Sequence, residues 1–66
     1  MNDEMLRQYI IDVMELANET KQEAESEFRD GKLLALNEVL TMLKTDLTPL
    51  GVENYGLDFD IDKVLA

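Results

Sequence analysis

Between Asp3 and Leu47 the apolar positions recur in steps of three, four and seven: Leu6, Ile10, Val13, Ala17, Ala24, Phe28, Ala35, Val39 and Met42. At about 100° per residue they share one stripe of a helix, interrupted only by Thr20 and Gly31. A second row, Leu33, Leu36, Leu40, Leu43 and Leu47, lies to one side of the first. A helix through residues 32–47 is therefore apolar over roughly half its circumference, more than one neighbouring helix covers. It needs two partners: the first helix, and either the C-terminal tail or a second copy of the chain. The leucine row is accordingly the expected self-association surface.

The same region holds one Gly and no Pro, and good helix formers dominate it. Its break is expected at one of two places. Asp30-Gly31 offers a glycine that readily ends a helix in the left-handed conformation. Thr20 followed by Glu23 has the spacing of a capping box, in which hydroxyl and carboxylate satisfy free backbone N–H groups. A third reading has no break, because the stripe keeps phase through Gly31. Thr48-Pro49 ends the helical region, since the residue before proline is pushed out of helical geometry, and GVENYG beyond it is turn-like. The expectation is one small all-α domain over residues 1–66. It consists of a helical hairpin across about 3–47 and a turn-rich tail over 48–66, and it dimerises into a four-helix bundle.

Within the tail, LDFDID alternates apolar and acidic residues. Asp58, Asp60 and Asp62 match the first three ligands of an EF-hand loop, but Lys63 stands where the loop needs Gly, and the chain ends before the bidentate Glu. The pattern predicts structure instead: Leu57, Phe59 and Ile61 on one face, the aspartates on the other, and Asp60 as N-cap of a last helical turn through Ala66. The acids keep one side wet.

Composition narrows the chemistry. With no Cys and no His, a disulfide, the usual zinc sites, a Cys nucleophile and a Ser-His-Asp arrangement are all unavailable. No catalytic, cofactor-binding or metal-binding residue is expected. A chain of 66 residues buries only about 60% of the surface its unfolded form exposes, which favours association with a second copy. The net charge of −9, from 15 acids and 6 bases, repels nucleic-acid phosphates and anionic lipids. Neither direct nucleic-acid binding nor a membrane partner is expected. The N-terminal MNDEMLRQYI has no leader pattern, so a cytoplasmic location is expected.

Glu15, Glu19, Glu23 and Glu27 stand four apart. On a continuous helix they form a carboxylate ladder costing about 1 kcal/mol over three like-charged pairs. It points away from the apolar stripe and suits either solvation or a basic protein partner. The expected function is that of a small acidic, non-catalytic interaction protein that self-associates. The alternative is an acidic inhibitor that occupies the site of a basic, nucleic-acid-processing protein.

Overall fold

Asn2 starts the first helix: its side-chain Oδ1 accepts the Met5 N–H at 2.8 Å, and Asp3 and Glu4 follow at the positive end of the helix dipole. This helix, α1, runs Asp3–Lys21. The second, α2, runs Glu27–Leu47, and a five-residue helix, α3, runs Ile61–Leu65. Two 3-10 turns, Thr48–Leu50 and Val52–Tyr55, lead from α2 to α3. The computed structural model describes residues 2–66, and among these there is no strand. The two long helices pack as a hairpin and the tail crosses back over both.

The hairpin turns between Gln22 and Ser26, beside Thr20 and well before Gly31. Thr20 is not a cap. It lies in the last turn of α1, fully buried, and its hydroxyl donates to the Leu16 carbonyl at 2.7 Å. The cap belongs to Ser26, whose extended backbone (φ −164) precedes α2 and whose Oγ accepts the Arg29 N–H at 3.0 Å. Arg29 then reaches back to donate from Nη2 to the Lys21 carbonyl at 3.0 Å, a cation at the negative end of α1. Gly31 is ordinary α-helix; only Gly51 (φ 87) and Gly56 (φ 76) adopt the left-handed geometry, in the turns of the tail.

This turn resets the helical phase, so the single stripe expected from Leu6 to Met42 does not exist as one core face. Its first half is buried or half-buried at Leu6, Ile10, Val13 and Ala17, while Ala24, Phe28, Ala35 and Met42 stand in solvent. On α2 the leucine row takes the core instead. Leu33, Leu40 and Leu47 are buried, and Leu36 and Leu43 are half-buried.

The second partner that α2 required is the tail. Tyr55, Leu57, Ile61 and Leu65 close the core against Ile10, Val13, Ala17, Leu40 and Leu47. The alternation in LDFDID does what its period implies, with Leu57 and Ile61 buried, Phe59 half-buried and all three aspartates exposed. Asp60 caps α3, accepting the Lys63 N–H at 3.3 Å.

Candidate interaction surface

Three cations on the hairpin hold the tail at successive points. Arg7 Nε donates to the Asn54 carbonyl at 2.8 Å, Lys44 Nζ to the Phe59 carbonyl, and Lys21 Nζ to the Val64 carbonyl at 2.6 Å. The Arg7 guanidinium also lies over the Tyr55 ring, 5.3 Å from its centre. The Tyr55 hydroxyl donates to Asp3 Oδ1 at 3.1 Å, and Asn37 Nδ2 donates to Asp62 Oδ1 at 2.9 Å. Burial pushes the Tyr55 phenol above its ordinary pKa; the Asp3 carboxylate adds to that push and Arg7 opposes it.

Cations spent on carbonyls do not neutralise carboxylates. Among the described residues only two ion pairs form, Arg29–Asp30 and Lys32–Glu23, each at 3.3 Å. The expected glutamate ladder is broken by the hairpin turn. Glu15 and Glu19 remain one turn apart on α1, Glu23 sits in the connection against Lys32, and Glu27 opens α2. A different acidic row replaces it: Glu4, Asp12, Glu15 and Glu19 are exposed along the outer spine of α1, in steps of eight, three and four residues that share a face.

The aspartates of the tail line a cleft of about 480 Å³ opposite Thr41, Lys44 and Thr45 of α2. Three of its charged groups are engaged in structure: Asp60 caps α3, Asp62 takes the Asn37 amide, and Lys44 binds the Phe59 carbonyl. No group of three or more acidic side chains among the described residues is arranged to hold a metal ion.

The five leucines expected to mediate self-association line the core of the chain itself, so a second copy would have to meet a different face. Helical phase locates it. Arg7, Lys21, Asn37 and Lys44, which bind the tail, all project from one side of the hairpin. Counting at about 100° per residue, Met5, Tyr9 and Leu16 of α1 and Phe28, Ala35, Val39 and Met42 of α2 project from the other. Met5 is 59% exposed, Tyr9 43%, Leu16 40%, Phe28 75% and Met42 59%. Three further open apolar side chains, Ile11, Leu34 and Leu50, lie on the tail side or in the tail. Met42 thus faces water where the stripe was expected to be core. The open row on α2 is the second half of the stripe visible in the sequence, now turned outward.

Among known proteins, no protein-family model, no curated protein and no solved structure matches the chain. No helix among the described residues is long and apolar enough to cross a membrane.

Proposed function

We propose that the protein is a small, acidic, non-catalytic association module that pairs with a second copy of itself. The observation that carries this reading is the bare apolar face of the hairpin, opposite the tail. Five large side chains stand open there although the chain has already closed a core on its other side. Contiguous apolar surface of that kind marks an interaction site.

Sedimentation equilibrium from micromolar to near-millimolar protein tests it, and salt sharpens the test. Two chains of net charge −9 repel, and salt shortens the range of that repulsion to about 8 Å at physiological ionic strength. Self-association through an apolar face therefore tightens as salt is added. A chain that stays monomeric across the whole range, at both salt levels, refutes the reading.

A second reading rests on the acidic row of α1. Among the described residues Glu4, Asp12, Glu15 and Glu19 form no ion pair, and such a row suits a basic protein partner that ordinarily binds phosphates. Its salt dependence runs the other way. Binding to a polycation at low salt, lost by physiological salt and lost in a Glu15→Gln/Glu19→Gln variant, would favour it over self-pairing.

A further inference from the structure

Gly31 sits inside α2, exposed, and a Cβ built on it meets nothing within 4 Å. An interior glycine weakens a helix relative to alanine, and nothing in the single chain makes use of the missing side chain. It lies beside the open row of α2, between Phe28 and Ala35. Small residues at such a position allow a neighbouring backbone to come close.

Resting on the self-association reading, we infer that the bare face is buried in a two-fold dimer. In it α1 of each copy packs against α2 of the other, and Gly31 lies under the partner's α1. Area supports a second copy as the occupant. At about 200 Å² per large side chain, the open fractions of Met5, Tyr9, Leu16, Phe28 and Met42 amount to about 550 Å². The exposed Ala35 and half-open Val39 beside them bring the face towards the roughly 800 Å² that each subunit of a stable dimer buries.

Lengths match too: 19 and 21 residues in α1 and α2 let two hairpins pack face to face along their whole length into a four-helix arrangement. Charge is depleted in the middle of the face. Lys32 lies within it, already paired with Glu23; Asp46 lies on the open row only at its far end, one turn beyond Met42, and Asp12 and Glu38 flank the face. Interface centres have this composition.

The direction of the two-fold follows from shape and charge. An axis along the helices sets the large Met5, Tyr9 and Leu16 of one copy against the small Gly31, Ala35 and Val39 of the other, and keeps every neighbouring pair of helices antiparallel. An axis across the helices would stack α1 on its own twin. That would bring Asp12, at the middle of α1, against itself.

Tyr9 and Val39 stand at the same height above the hairpin turn, so in the inferred dimer they meet across the interface. The chain has no cysteine, which makes a Tyr9→Cys/Val39→Cys variant a clean reporter. Mild oxidation at concentrations where the native chain dimerises should convert most of it to covalent dimer, whereas each single-cysteine variant gives several-fold less.

In sedimentation, Leu16→Glu and Met42→Glu, both at exposed positions, should raise the dimer dissociation constant more than tenfold with the helical circular dichroism unchanged. Leu34→Glu, an equally exposed change on the tail side, should leave it within about twofold. A native dimer that survives Leu16→Glu and Met42→Glu overturns this interface while leaving self-association standing. A native chain that is monomeric throughout overturns both.

Discussion

Replacing Leu57 by Ala tests whether the tail is the second partner that α2 requires. Leu57 is wholly buried, and it stands in the tail against a core built from both long helices. Truncation removes buried methyl groups and leaves a cavity; such changes cost about 2–5 kcal/mol. The irregular backbone around Leu57 relaxes more easily than a helix, which places the expected loss at about 3 kcal/mol. For 66 residues the whole stability is of order 3–10 kcal/mol, so this one side chain accounts for a large share. With a urea slope of about 1 kcal/mol per molar, the unfolding midpoint should fall by about 2–3 M. The assay uses two probes at low protein concentration: far-ultraviolet circular dichroism for the hairpin, and Tyr55 fluorescence in a Tyr9→Phe background for the tail. Both should move together, because the tail and the leucine row share one core. A midpoint shift below about 0.5 M, or a hairpin that melts apart from its tail, would refute the view that the tail seals the leucines.

Other expectations are more local. Ser26→Ala removes the cap of α2 and should cost about 1 kcal/mol, read from the thermal midpoint, whereas Thr20→Ser should preserve the bond to the Leu16 carbonyl. Glu15→Gln relieves a like-charged pair with Glu19 and should stabilise by about 0.2–0.5 kcal/mol at low salt, with the gain shrinking as salt rises. The raised pKa of Tyr55 means that the folded chain holds the phenolic proton more tightly than the unfolded one. Its contribution is complete below the ordinary value of 10.0 and is lost as pH rises through the folded value. Alkaline unfolding of the native chain should therefore steepen above that pH, and Tyr55→Phe should remove the steepening; identical alkaline curves would sink the assignment.

Much of this molecule is determined by short-range rules that a sequence carries openly. The α-helical region begins at Asp3 and ends at Leu47 because helix formers fill it and Pro49 has no N–H to extend the ladder. Thr48 is nevertheless not pushed out of helical geometry as expected (φ −53, ψ −44), and the chain tightens through Pro49 into a 3-10 turn. The tail exposes its aspartates and buries its leucine because strand-like alternation has only two faces to offer. Asp60 caps α3 because a carboxylate one residue before a helix finds a free N–H.

What the pattern could not decide was which of two apolar rows on α2 faces inward. Both Leu33–Leu47 and Phe28–Met42 are legitimate helical faces, and a continuous period through Gly31 gave the Phe28–Met42 row the form of an extension of α1. The choice is made at Ser26, a weak local signal that resets the phase, and by the tail, whose Tyr55, Leu57, Ile61 and Leu65 pack against the leucine row. The glutamate ladder was lost for the same reason: a spacing of four makes a ridge only while the helix is unbroken. Periodicity is a property of one helix, and the assignment of its faces is a property of everything packed around it. That is why the sequence by itself determined the helical region and the wet side of the tail, and only the tertiary structure decided which of the offered sites the hairpin turns beside, where the core lies and which apolar face remains open.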